Sequence, residues 1–289
     1  MSNRLIDFKA LTESEGSSLE RTARSHVRVA GVPAALMSEA QLVEAMVADC
    51  AEWRAGRLPR PTTVFETNCH VVSLYAEDPR LREAIEGADI VHADGQFIVY
   101  LSRLLGRGRG RIPERTCTTD VIHAAARAAE ANGLSFFLLG GKDEINEACV
   151  ARLRELYPRL RIAGRHHGYF DADAEDRVID EINRSGADIV WVGLGKPEEN
   201  YFCIQNRHRI RCAWLMTCGG CFNYITGDYA RAPGWMRATG LEWLHRFSTG
   251  PAYLRKRYFE TIPHGIWLAA YWAWKDARGQ GPRAKPETS

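Results

Sequence analysis

Asp94 stands in the stretch HADGQ, where an apolar run ends and a helical pattern begins. A carboxylate in such a place can cap the following helix, or it can project into a crevice as a general base whose pKa is adjusted by partial burial. Gly95 beside it lets the chain turn tightly and a ligand approach closely. Arg115, in RIPERTCTTD, precedes a helix whose N-cap is expected at Thr118 or Thr119, with Asp120 in the first turn. Its guanidinium can grip a phosphate or carboxylate with two hydrogen bonds, or it can be solvated. Asn68 and His70, in TNCH, follow another apolar run, and a lone His at an apolar helix start more often packs than reacts. Two glycine-rich stretches, LLGGK with Gly140 and GLGKP with Gly195, each lead directly into a helix. Each can offer backbone N–H groups and a positive helix end to a phosphate, or serve only as a tight turn. Neither is GxGxxG or a P-loop, so the dinucleotide and ATP fingerprints are missing. Asp171 and Asp173 in FDADAED have the spacing of a metal-binding DxD, and they suit equally the N-cap and dipole of the acidic helix that follows. Cys218 and Cys221 form a CxxC without a second pair or a His at ligand spacing, so packing beside a glycine turn is favoured over zinc or redox chemistry.

A scaffold must carry these residues. After a polar arm over 1–27, VRVAGV reads as a strand, and Ser38 with Gln41 forms a capping box opening a helix through about Trp53. From TTVFETN onward, short apolar strands (DIVHAD, LSFFLLGG, LRIAGR, IVWVGLG, CAWLMTCGG) alternate with amphipathic helical patterns, the first being HVVSLYAEDPRLREAIEGA. That alternation is the mark of βαβ units around a mostly parallel sheet. The expected fold class is α/β: a Rossmann-like, doubly wound, mostly parallel sheet over 28–227, with a helical C-terminal appendage over 228–289. Sites in such sheets lie outside the carboxyl ends of the strands. This groups the loops at Glu66–His70, Asp94–Gln96, Gly140–Lys142, Gly193–Asn200 and Cys218–Asn223.

The chain has 289 residues, 45% apolar and 26% charged, with a formal net charge of +2. That balance speaks against nucleic-acid binding, which usually shows as a strongly basic domain. Basic character is local: Arg231, Arg237, Arg246, Arg255, Lys256 and Arg257 face one acid, Glu242, in the stretch 231–257. The start, MSNRLIDFKALTESEG, lacks the apolar core of a secretory signal, and no run is long enough to span a bilayer. A cytoplasmic location is expected, with the eight cysteines reduced and mostly buried.

The segments ADG at 93–95, PERTCTTD at 113–120, VGLGKPEEN at 192–200, GGCFNYITGDYARAPGWMRATGLEWLHRF at 219–247 and RKRY at 255–258 together resemble the WecG/TagA/CpsF glycosyltransferase family. The resemblance implies an inverting, metal-independent hexose transfer from a UDP-sugar to an undecaprenyl-diphosphate-linked saccharide, on the inner face of the cell membrane, in bacterial surface polysaccharide synthesis. It makes Asp94 the general base and implies substrate binding by Asn68, Glu66, Arg115, Thr119, Gly140, Gly195, Glu199, Gly219, Gly220, Arg231, Arg246, Arg255 and Arg257, with no metal and no cofactor. The chain departs from the family pattern at Glu66 (usually Thr), Glu199 (usually Gln) and Asn223 (usually Asp). It also has Gly250, Pro251, Ala252 and Tyr253 where the family has Glu-Pro-x-Arg, so Arg255 is the expected substitute for a missing arginine. Changes on sugar-contacting loops leave the donor open between an N-acetylmannosamine-type and a glucose-type sugar.

In the implied mechanism Asp94 accepts the proton of an attacking hydroxyl, while arginines, backbone N–H groups and helix ends neutralise the departing diphosphate. Trp235, Trp243, Trp267, Trp272 and Trp274 suit the headgroup region of a bilayer, so the appendage is expected to cover the site and lie on the membrane surface. Packing of these tryptophans on the α/β core is the other reading. A chain tethered in this way can also self-associate. Two further functional readings stay open here: a dinucleotide-dependent oxidoreductase, disfavoured by the missing fingerprint, and a non-catalytic, membrane-associated assembly protein.

Overall fold

The computed structural model describes residues 25–105, 110–250 and 252–278. Most of the expected arm, 1–24, therefore lies outside the described residues, as does 279–289 of the appendage. VRVAGV is not one strand but the heart of a hairpin, β1 (His26–Val29) and β2 (Val32–Ala35), closed by Ala30 and Gly31. Both turn residues have positive φ, 51° and 85°, the geometry of a two-residue hairpin turn. The sequence hid the turn because Ala, not Asn or Asp, precedes the glycine.

Helix α1 (Glu39–Arg54) opens on the expected capping box: Ser38 and Gln41 each bond the other's backbone N–H. Strand β3 (Thr62–Thr67) follows. The single long helix expected next is two, α2 (Cys69–Glu77) and α3 (Pro79–Glu86). Asp78 leaves helical geometry at φ −106° and ψ 104°, as a residue before proline must, and its carboxylate caps α3. The chain continues through β4 (Ile90–Ala93), α4 (Gln96–Leu105), α5 (Thr118–Asn132), β5 (Ser135–Gly140), α6 (Asp143–Leu156), β6 (Arg161–His166), α7 (Glu175–Ser185), β7 (Ile189–Gly193), α8 (Glu198–Asn206), β8 (Trp214–Thr217) and α9 (Cys221–Thr226). The N-cap of α5 is Cys117 rather than either threonine, and it makes no side-chain cap bond.

The six strands β3 to β8 form one sheet in the order β4-β3-β8-β7-β5-β6, every pairing parallel. Alternation at period two sends Phe65, Phe137, Leu139, Val190, Val192 and Leu215 into one core, and Val64, Phe136, Leu138, Ile189, Trp191 and Trp214 into the other. Strands buried on both faces need helices on both faces. Helices α2, α3, α4, α7 and α8 cover the first face, and α1, α5, α6 and α9 the second.

The appendage comprises α10 (Gly234–Ala238), α11 (Glu242–Thr249) and α12 (Ala252–Ala277). Helix α12 lies on α2. Thr261, Gly265, Leu268, Ala269 and Trp272 recur at helical spacing on the inward side, and Leu268 and Ala269 enter the first core. Trp272 packs its indole on Gly31 in the hairpin turn, so this one of the five tryptophans belongs to the core reading. Trp235, Trp243, Trp267 and Trp274 are 62%, 40%, 60% and 48% exposed.

Close approach between α12 and α2 depends on Gly265, where an added Cβ would come within 2.6 Å of Cys69 Sγ. Gly265→Ala is expected to lower stability by ~1–3 kcal/mol through overpacking. Cys69→Ala in the same chain should restore most of that loss, both read by urea denaturation.

Candidate active site

The loops after β3, β4, β5, β7 and β8 reach one rim and enclose a polar cleft of about 780 Å³. A hollow of about 150 Å³ adjoins it between the start of α4 and the appendage. Asn68, His70, Asp94, Cys117 and Arg246 line both.

Asp94 sits at this junction, one residue beyond β4. Its N–H donates to Thr67 O at 2.9 Å, which extends the β3–β4 ladder by a step and fixes where the side chain leaves the sheet. Burial, and then repulsion from Glu66, push its carboxyl up to about 6, against the pull of Arg246, a hydrogen bond from Cys117 and the pull of Arg115. A carboxylate so adjusted is ionised at neutral pH and is a better base than an exposed one. Asn68 caps α2: its Oδ1 accepts from the N–H groups of His70 and Val71 at 3.1 Å each. That use leaves its NH2 group for a ligand.

Beneath the cleft, Lys196 reaches between two acids, with its ammonium 2.5 Å from Glu66 Oε1 and 2.8 Å from Glu199 Oε1. Thr217 donates its hydroxyl to Glu66 Oε2. Burial alone would raise Glu66, but Lys196 outweighs it and holds the carboxyl below its ordinary range. Glu199 goes the other way, to about 7, because burial and Glu66 together overcome Lys196. Of the two carboxylates it is Glu199 that yields to burial, while the lysine, held by both, keeps its proton more firmly than usual.

Glu199 also accepts from the N–H groups of Gly195 and Gly219, both at 3.1 Å. The Gly195 amide, expected to face a phosphate, is thus turned inward onto a carboxylate of the chain itself, as is that of Gly219, expected to bind substrate. Gly195, Gly219, Gly220, Glu66 and Thr119 line the cleft, but Glu199 is fully buried and lines neither cavity. Gly140 does not line it either. Its φ is +133°, and a Cβ there would lie 2.2 Å from Gly193 O, so glycine is required where the ends of β5 and β7 pair, and Gly141 lines the cleft instead.

Arg115 is not solvated. It donates to Glu242 Oε2 of α11 at 2.5 Å, and Arg246 donates to the other oxygen of Glu242 at 2.6 Å. Despite its burial, the Glu242 carboxyl is held at about 2 by the charge of Arg246 and by the hydrogen bond and charge of Arg115. Arg246 also lies 4.7 Å from the centre of the Tyr224 ring. Arg231 bonds Thr119 O and Asp120 at the start of α5, and lines neither cavity. Arg255 is exposed on α12 away from both, and the Arg257 side chain lies outside the described residues.

Asp171 accepts from Ala174 N–H at 2.9 Å in the turn before α7, whose N-cap is Ala174 and not either aspartate of FDADAED. Cys218 and Cys221 are buried in the second core with thiols pushed well up by burial, as packing residues are. Sequence reasoning missed Lys196 and Glu242. A signal for each existed: Lys196 precedes Glu199 by three residues in a glycine loop, and Glu242 is the lone acid in the basic stretch.

Comparison with known proteins gives the family. The pattern of the glycosyl transferase WecG/TagA/CpsF family matches residues 27–279. An N-acetylglucosaminyldiphosphoundecaprenol N-acetyl-beta-D-mannosaminyltransferase of Bacillus spizizenii is 29% identical over 180 residues, covering 62% of this chain and 68% of that enzyme. The Bacillus subtilis enzyme of the same name is 30% identical over 171 residues, covering 58% of this chain and 64% of its own length. The two matches thus span about two thirds of each relative, and the family pattern covers the strand-end loops together with the basic tail. The chain belongs to the glycosyl transferase WecG/TagA/CpsF family.

Proposed function

We propose that the chain transfers a hexose from a UDP-sugar to a polyprenyl-diphosphate-linked saccharide, with inversion and without a metal, at the inner surface of the bacterial membrane. One observation carries the reading: Asp94 stands where the polar cleft meets the hollow under the appendage, with Arg115 and Arg246 converging on the same point. The cleft takes the nucleotide sugar, and the hollow takes the acceptor hydroxyl. Asp94 removes the hydroxyl proton as that oxygen attacks the anomeric carbon. The bond from carbon to the UDP oxygen breaks, and the diphosphate leaves with the electron pair. Negative charge growing on the diphosphate is met by Arg246, backed by Arg115. The names of the two Bacillus relatives, which act on a diphosphoundecaprenol-linked sugar, support the acceptor class.

The exposed tryptophans supply the membrane side of the proposal. No helix among the described residues is long and apolar enough to cross a membrane. Trp267, Tyr271 and Trp274 stack along α12, with Phe259 and Ile266 also exposed, while Lys275 and Arg278 lie over the Tyr271 and Trp274 rings. Aromatic rings flanked by cations suit an anionic headgroup layer.

Three measurements test the proposal. Asp94→Asn is expected to lower kcat by ~10²–10⁴-fold, the usual range for a general base, with UDP affinity by calorimetry nearly unchanged; wild-type turnover would remove Asp94 from the mechanism. In the wild type, kcat/KM should fall tenfold per unit as pH drops below about 6, where Asp94 gains its proton. Glu242→Gln frees the arginines to act on Asp94, so this acid limb should move to lower pH while the plateau rate falls; an unmoved limb would detach Glu242 from the base. Finally, the wild type should sediment with vesicles containing anionic phospholipid, and Trp267→Ala/Trp274→Ala should not; a wild type that stays in the supernatant would reject the membrane contact.

A further inference from the structure

Of the three charged side chains buried beneath the cleft, Glu66 and Lys196 line it and Glu199 does not. Ionised Glu66 has about four lone-pair positions, and Lys196 and Thr217 occupy two. Lys196 has three N–H groups, and the two glutamates take two. The pair therefore keeps at least one strong acceptor and one strong donor, side by side, for whatever fills the cleft.

Its position relative to Asp94 follows from the sheet. Glu66 pairs with His92 in the β3–β4 register, and Asp94 lies two residues further along. With strands ~4.8 Å apart and a rise of ~3.3 Å per residue, the two Cα atoms are about 8 Å apart. That separation accommodates one sugar ring with a hydrogen bond on each side.

Charge then narrows the sugar. The single ammonium is shared between two carboxylates, and Asp94 adds a third at the same rim. Two more cations line the cleft, Lys142 at the start of α6 and Arg246 already paired with Glu242; between Glu66 and Asp94, a carboxylate on the sugar would meet a lysine already balanced and two like charges, whereas hydroxyls would meet an acceptor and a donor held in fixed positions. We infer that Glu66 and Lys196 read neighbouring hydroxyls of the transferred sugar, and that the cleft takes uncharged hexose donors and rejects uronic acid donors. The inference rests on the transferase reading above and goes further, in assigning the sugar class to residues that sit beside the base.

The test is calorimetric titration of the full chain with UDP, UDP-glucose, UDP-N-acetylmannosamine and UDP-glucuronate. The wild type is expected to bind at least one neutral donor more tightly than UDP, and UDP-glucuronate more weakly than UDP. Glu66→Gln should lose about tenfold to hundredfold in affinity for the preferred neutral donor, the usual worth of a hydrogen bond to a charged group, with UDP affinity held within about twofold. Thr217→Val, outside the cleft, should lower the same affinity by loosening Glu66, and it serves where Glu66→Gln fails to fold by thermal melting. UDP-glucuronate binding as well as the neutral donors would overturn the inference. So would variants that leave neutral-donor affinity intact or weaken UDP equally. A wild type that binds no UDP would sink the transferase reading itself, and this inference with it.

Discussion

An ion drawn out of water must find opposite charge close by, and the rim of this sheet gathers four carboxylates, Glu66, Asp94, Glu199 and Glu242, around three cations, Lys196, Arg115 and Arg246. Breaking a buried pair leaves an uncompensated ion and costs several kcal/mol, so the set is held together as a whole. Lys196 serves two acids on the cleft floor; Glu242 serves two arginines under the appendage. Asp94 lies between these clusters and makes no ion pair among the described residues. Burial and repulsion from Glu66 raise its carboxyl against the pull of Arg246 and Arg115, while Glu66 and Glu242 are held down by their cations.

The same constraint ties the appendage to the α/β domain. Arg115 belongs to the loop before α5, and Glu242 and Arg246 belong to α11, so the Arg115–Glu242 pair joins the two sides, beyond the pairs Arg115–Asp120 and Glu242–Arg246 that each side makes for itself. Helix α12 adds apolar packing on α2 through Gly265 and Leu268, and a hydrogen bond between His264 Nδ1 and Ser73 Oγ at 2.6 Å. Buried charge and close packing thus place one face of the tail against the rim and leave four of its five tryptophans, all but Trp272, outside. A segment whose outer side meets lipid and whose inner side completes the site would couple arrival at the membrane to assembly of the charge network.

The parts of this arrangement that depend on local periodicity could be read from the sequence. Strands of the β7 type, IVWVG, are apolar throughout because both faces are buried, and the helices between them alternate at helical spacing. The strand-end rule then placed Asp94, Asn68 and the glycine loops on one rim before any coordinates. Charge partnerships across the fold were another matter. Glu66 and Lys196 are 130 positions apart, and Arg115 and Glu242 127, so no window of sequence displays either pair. Gly195 reads as a phosphate cradle because a glycine loop before a helix has the same sequence whether its amides face a ligand or an internal Glu199. Trp272 shows the same limit: five tryptophans in a basic tail share a composition, and only packing on Gly31 separates the buried one from the rest.

The shape of the two cavities bears on stereochemistry under the proposed transfer. They meet at Asp94, and the polar one is about five times the volume of the other, 780 against 150 Å³. A nucleotide sugar fits only the larger, so the attacking hydroxyl must come from the smaller, and the sugar's anomeric carbon is then approached from one cavity while the diphosphate departs into the other. Attack and departure on opposite sides invert the centre in a single displacement. A double displacement would need a second carboxylate placed as a nucleophile on the departure side of the ring. Besides Asp94, the described acids lining the larger cavity are Glu66 and Asp228, and the oxygens of Glu66 already accept from Lys196 and Thr217, which lower its basicity and its power to attack. The pairing that keeps Glu66 charged in the cleft floor would therefore also keep it out of the bond-making step, and under the proposal Asp94 acts as a base alone.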